Sequence, residues 1–217
     1  MSIDSAPSIV STLLLGLVVG LRHAFEPDHM AAVSAIATQR RSWLGSTLVG
    51  GLWGLGHALA LFAAGAAVLL LQLRIPARAE LGLKFCVGLM LVGLGANAVF
   101  KLVHGDHDHV HAHPHAPGKG PLLIGIVHGL AGSGALMLLV LTTIPSPLVG
   151  LAYIAVFGLG ALGGMMALSA LLALPAVLTA NRFQRAQGGL RLLAGGLSIT
   201  VGLFLVYEIG VVQGLLV

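Results

Sequence analysis

Residues 20–30 read Gly-Leu-Arg-His-Ala-Phe-Glu-Pro-Asp-His-Met and bring two imidazoles, two carboxylates and a guanidinium around one proline. Imidazole suits nickel, copper, iron and zinc, and a nitrogen-rich set completed by carboxylate or backbone oxygen suits nickel or cobalt. On an unbroken helix His23 would lie about 140° from Asp28 and about 120° from His29, so the groups would diverge. Pro27 removes a backbone donor and clashes with the preceding turn, which predicts a break. The side chains and main-chain atoms of residues 23–29 can then curl around one small ion. Asp28 is a ligand or an acid that orients an imidazole, and Glu26 is an auxiliary or proton-linked carboxylate. The plainer alternative is a self-satisfied network, such as Arg22 with Glu26 at i,i+4. A proline inside His-x4-Asp-His favours the metal reading.

Two further histidines join the candidate set. His57 lies in Gly54-Leu55-Gly56-His57-Ala58 with no acid near it in sequence, and His128 opens His-Gly-Leu-Ala-Gly-Ser-Gly. A short turn between the first two spans predicts antiparallel neighbours, which would carry His57 to His23 and His29.

The elements that hold these groups are membrane helices. Of 217 residues 57% are hydrophobic and 8% charged, with mean hydropathy +1.01, against about 25% charged in soluble domains. An all-α polytopic membrane protein is expected, because apolar runs exceed the roughly 20 residues that cross a bilayer and ten-residue strand signals are absent. Six spans are predicted, at 9–36 (broken at Glu26-Pro27), 44–71, 82–103, 122–144, 148–178 and 190–212. The 31 glycines allow helices to approach closely where no hydrophobic effect joins them. Each intramembrane ionisable group costs roughly a few kcal/mol unless paired, hydrated or bound, which marks residues 22–29 as functional.

An internal repeat is visible at an offset near 105. Gly20-Leu21-Arg22-His23 answers to Gly125-Ile126-Val127-His128, and Trp53-Gly54-Leu55-Gly56 to Phe157-Gly158-Leu159-Gly160. Three spans per repeat make the halves inverted, as in many secondary transporters. The expected organisation is a single transmembrane domain, 1–217, with a first half at 1–103, a His-rich loop at 104–120 and a second half at 121–217.

That loop carries His104, His107, His109, His111, His113 and His115 with Asp106 and Asp108, a composition that binds divalent cations with little selectivity. Arg40, Arg41, Lys101, Lys119, Arg182, Arg185 and Arg191 fall on one side of the scheme, and Arg74, Arg78 and Lys84 on the other. The positive-inside rule then puts the loop in the cytoplasm, both termini outside and the protein in the cell membrane. With Asp4 and no Lys or Arg before Arg22, a cleavable signal peptide is not expected. Cys86 is the one cysteine, which excludes an internal disulfide or dithiol pair, and it is expected as a small core residue; Asn97 is expected between helices.

The residues 22–30 resemble the His-x4-Asp-His signature helix of the nickel/cobalt transporter family, and Leu55-Gly56-His57-Ala58-Leu59 resembles the Leu-Gly-His motif of its next helix. His128-Gly129-Leu130-Ala131-Gly132-Ser133-Gly134-Ala135 is similar to a motif of the six-span, urease-accessory-type members. The resemblance implies high-affinity, low-capacity movement of Ni2+ or Co2+, with His23, Asp28, His29 and His57 at the family's positions. The chain has Glu26-Pro27-Asp28-His29 where the commoner pattern is Asp-Ala-Asp-His, and six spans where the archetypal permeases have eight.

The expected function is a permease, not an enzyme, that takes up Ni2+ or Co2+ as cargo, with no cofactor. The metal set is His23, Asp28, His29 and His57 with Glu26 and His128. Deprotonation on binding couples occupancy to pH. The expected partners are the divalent ion, the lipid bilayer and a cytoplasmic metallochaperone, and no nucleic acid, since no aromatic-interleaved basic patch occurs. The alternatives are an exporter of the same metals, or a non-transporting membrane partner that delivers metal to urease or hydrogenase maturation. Neither a phosphate-binding Gly-x4-Gly-Lys loop nor a His-Glu-x2-His pair occurs.

Overall fold

The computed structural model describes residues 8–38, 42–73, 75–104, 119–144, 146–179 and 184–216. His107, His109, His111, His113, His115, Asp106, Asp108, Asp4, Arg40, Arg41, Arg74 and Arg182, and the side chains of Ser133 and Arg185, lie outside the described part. The described chain is all-α: α1 (Ile9–His23), α2 (Pro27–Ala37), α3 (Trp43–Leu71), α4 (Ala77–Val103), α5 (Gly120–Thr143), α6 (Pro147–Thr179) and α7 (Gln184–Tyr207), which runs on into a π-helical turn, Glu208–Val212.

Four stretches are long and apolar enough to cross a membrane: Trp43–Leu71, Ala77–Val103, Pro147–Pro175 and Gln187–Val212. A fifth candidate is the pair α1–α2, bent by 55°. Of the six expected spans this leaves α5, a helix of 24 residues whose apolar described stretch is Gly120–Gly132. Large apolar side chains such as Leu14, Leu15, Leu44, Leu71, Leu193 and Phe204 point outward, while His29, His57 and His128 are buried. A surface of this kind is solvated by lipid tails.

The break in the first span lies one step earlier than the proline suggests. Pro27 begins α2 at its first position, where the missing N–H has no partner to lose. The turn itself is Ala24-Phe25-Glu26, tied by Phe25 N–H to Arg22 O (2.9 Å) and Glu26 N–H to His23 O (3.1 Å). At the other ends, Ser8 and Ser42 cap α1 and α3 by accepting from the N–H groups of Ser11 (3.1 Å) and Gly45 (3.3 Å). Such caps satisfy donors that helix starts leave open. Gln72, at φ 52°, ends α3 in the left-handed conformation.

α1 packs chiefly on α6, α3 on α5 and α6, and α4 on α7. The first span therefore meets the second through α2, which packs on α3, and not through α1. α2 is interposed among α3, α4, α6 and α7, and its small residues Ala31, Ala32, Ser34, Ala35 and Ala37 are all buried. Anything larger would push those four helices apart.

Glycine sets the closest approaches. A Cβ on Gly20 would collide with the Phe157 carbonyl, and one on Gly125 with the Trp53 carbonyl. Gly56 meets the Leu122 carbonyl as Gly160 meets that of Leu17. On the α4–α7 seam Gly88 abuts the Gly202 carbonyl and Gly95 the Gly195 carbonyl. Two expectations about α4 are corrected: Cys86 and Asn97 lie on its exposed face. Both faces of a lipid-bathed helix are apolar, so composition alone does not choose the face.

Candidate metal centre

The bend between α1 and α2 puts His23 at the end of one helix and Asp28 and His29 in the first turn of the next. α3 brings His57 and α5 brings His128 to the same place. The ring centroids of His23 and His29 are 4.5 Å apart, each is 5.2 Å from His57, and His29 is 4.1 Å from His128. Two groups have ligand atoms mutually within 4.8 Å and could hold a metal ion: His23, His29 and His57, and Asp28, His29 and His128. His29 belongs to both.

The carboxylates decide which ring nitrogens are free. Asp28 Oδ1 accepts from the His29 backbone N–H (2.9 Å) and from His29 Nδ1–H (3.0 Å), and Asp28 Oδ2 accepts from His128 Nε2–H (3.0 Å). A carboxylate accepts only, so each nitrogen that faces it carries the proton and the opposite nitrogen keeps its lone pair. This leaves His29 Nε2 and His128 Nδ1, both buried and without a partner, as are both nitrogens of His57. Glu26 Oε1 lies 2.8 Å from His23 Nδ1 and fixes that imidazole in the same way, leaving Nε2.

Buried polar groups are nearly always satisfied, and four orphaned imidazole nitrogens in one cluster mark a place for something to bind. Neutral imidazoles with oriented lone pairs suit a divalent transition ion, and acids that hold their outer N–H groups are the usual supporting layer of such a site.

Of the residues expected from sequence, His23, Asp28, His29, His57 and His128 come together here, with Asp28 as the bridge between two imidazoles. Glu26 stands outside both groups: its side chain is 53% exposed and it contacts His23. The Arg22–Glu26 pair of the plainer reading does not form; the bend hands Glu26 to His23. The backbone-carbonyl partner that would make His57 an ordinary buried histidine is absent too. His104, the described histidine of the His-rich loop, stacks on Phe100 at 3.9 Å at the end of α4.

A cavity of about 460 Å³ opens onto the cluster, its walls including His23, Glu26, Asp28, His29, His128 and Lys84. Three groups near the cluster escaped the sequence reading as site residues: Phe157 and Lys84 on the cavity wall, and Trp53 behind the imidazoles. Trp53 lies 5.4 Å from His29 and 5.6 Å from His128, and Phe157 5.3 Å from His23. Their signal was present, since the two aromatics answer to each other in the repeat. Lys84 was counted only as an orienting charge.

Asp28→Asn tests the bridge. Asparagine offers one carbonyl in place of two accepting oxygens, so His29 or His128 loses its fixed tautomer. Affinity for Ni2+, measured by titration of the purified protein, is expected to fall about 10- to 100-fold with the fold intact; unchanged affinity would remove Asp28 from the site.

The chain is 36% identical over 219 residues to the urease accessory protein UreH of Bacillus sp. (strain TB-90), an alignment that covers 95% of each protein. It is 29% identical over 171 residues to the Arabidopsis thaliana chloroplast protein FOR GROWTH AND FERTILITY 2. That second alignment covers 72% of this chain but 45% of the plant protein, so the chain spans less than half the length of that relative. No protein-family model matches the chain, and no solved structure matches it.

Proposed function

The chain belongs to the family of the urease accessory protein UreH, and on that premise we propose that it is a membrane permease that takes up a divalent transition metal. The cargo is Ni2+ or Co2+, and the accessory role to urease in the relative's name favours nickel. The observation that carries the proposal is the set of buried imidazoles with unpartnered nitrogens at a break in an apolar helix. A structural metal does not require a half-open cavity beside it, whereas cargo must enter and leave.

In this reading His23, His29 and His57 hold the ion, Asp28 and Glu26 set their orientation, and His128 reaches it from the second half. The 1–217 chain is one transmembrane domain of six spans, α1 and α2 forming one broken span. Its halves, 1–103 and 121–217, are inverted repeats about the loop at 104–120. Reciprocal packing supports this: α1 on α6 mirrors α5 on α3, and Gly20 against Phe157 mirrors Gly125 against Trp53 at the repeat offset. Inverted halves place a site where they meet, near the bilayer midplane. The His-rich loop faces the cytoplasm and receives the ion before a metallochaperone takes it.

Radioactive nickel and cobalt uptake by expressing cells tests the proposal with the wild type, His23→Ala/His29→Ala and a deletion of residues 104–115. The wild type is expected to accumulate metal, the double variant to lose accumulation, and the deletion to weaken it. Lowered accumulation by the wild type would reverse the direction, and a double variant that matches the wild type would dismiss the site.

A further inference from the structure

The cavity that leads to the histidines is graded in polarity. His29 and His128 form its floor, with 2% of each side chain exposed, while Glu26 and Lys84, at 53% and 41%, stand toward its open side. Between them the wall is largely apolar, with Val19, Leu61, Val87 and Phe157. Among the described lining residues Lys84 is the one Lys or Arg. Its Nζ lies 2.7 Å from Glu80 Oε1, one turn earlier on α4.

A charged pair at this position is not demanded by packing. The neighbours Leu81, Leu83 and Phe85 are apolar, and an apolar residue at 84 would share the cavity wall with Val87, Leu205 and Ile209 with no charge to satisfy. A charge inside a candidate span is costly, and where one occurs in a permease it faces the route of an ion.

We propose that Lys84 on the cavity wall, balanced by its partner Glu80 one turn back on α4, acts as an electrostatic gate that sets how readily a divalent cation reaches the histidines. This rests on the reading of the cluster as a cargo site. Lys84 alone would repel a dication; Glu80 alone, together with Glu26 on the cavity wall, would hold it there. Paired, they cancel: the ion is neither turned away nor retained, and its deepest well is the imidazole floor. The pair thus keeps the mouth a passage and not a second binding station. Fixed charges at constrictions tune ion entry in pores by the same balance.

The two charges must therefore act in opposite directions, which a structural ion pair would not do. The test uses purified protein in liposomes and the initial rate of Ni2+ entry as a function of concentration, for wild type, Glu80→Gln, Lys84→Met, the double variant and Lys84→Arg. Glu80→Gln leaves an uncompensated cation and is expected to raise KM about five- to tenfold; Lys84→Met leaves an uncompensated carboxylate and is expected to lower it about three- to fivefold. The double variant and Lys84→Arg are expected near the wild type. Both single effects are expected to shrink as salt rises from about 50 mM to about 500 mM, because the mouth is open to screening.

If Lys84→Met does not fold, Glu80→Gln still decides, since a KM change that is absent or indifferent to salt overturns the gate. Single variants that raise KM alike also overturn it. A wild type that moves no ion overturns the permease reading and the gate together, whereas transport with KM untouched by Glu80→Gln overturns the gate alone.

Discussion

His29→Ala is expected to abolish metal binding and transport. His29 is shared by both groups of converging ligand atoms, it is buried, and it is locked to Asp28 through backbone and ring. Loss of an outer partner of a ligand costs about 10- to 100-fold in affinity; loss of the shared ligand is expected to cost more, leaving no titratable Ni2+ site at micromolar protein. The readout is built in, because Trp53 lies 5.4 Å from His29 whereas the other tryptophan, Trp43, is half-exposed at the start of α3. Nickel is expected to change Trp53 emission in the wild type and leave it unchanged in His29→Ala. Elution as the same monodisperse species would show that the variant folds. A full emission response in the alanine variant would place the ion elsewhere.

Gly125→Leu is expected to have the largest effect on stability. A Cβ there overlaps the Trp53 carbonyl and comes within 2.9 Å of the Trp53 ring, so the obstruction is mostly backbone and cannot rotate away. Overpacking at a tight contact costs about 1–3 kcal/mol, occasionally more, and this one separates α5 from α3 along a main seam of the fold. Thermal unfolding in detergent is expected to show a melting temperature lowered by many degrees, or no folded protein. Gly93→Ala is the control, since nothing lies within 4 Å of its added carbon. The shift should carry a loss of nickel binding with it, because Trp53 is wedged beside His29 and His128. A Gly125→Leu protein that melts with the wild type would refute the close packing of these helices.

The residues most legible in the sequence were those that are out of place in oil. His23, Asp28, His29, His57 and His128 announced themselves by polarity inside apolar runs, and the structure gathers them. What polarity could not reveal was which helix lies against which. In water an apolar stripe names the buried face; in lipid both faces are apolar, and α6 carries almost no directional signal across its 33 residues. That the first span meets the second through α2 alone was hidden for that reason, and Cys86 and Asn97 were placed on the wrong face for the same one. Glycine was the better guide, since Gly20 and Gly125 mark contacts that only a missing side chain permits. The position of the break was half legible: Pro27 signals an interruption, but its fixed φ suits the first residue of a new helix, so the turn falls on Ala24-Phe25-Glu26. Asp28 was rightly left open between ligand and orienting acid, because the choice depends on His128, a hundred residues away.

The pairing of early helices with late ones also governs how the chain acquires its shape. α1 finds its main contact in α6 and α3 finds its own in α5 and α6, so the first three spans leave the ribosome without the surfaces they are destined to meet. Contacts of such long sequence separation form late and slowly. Until α6 arrives, α1 must wait in the bilayer with its glycine-lined flank facing lipid. A nascent chain arrested after α4 would hold His23, Asp28, His29 and His57 without His128 and without α6, so the cluster would be complete only with the last third of translation.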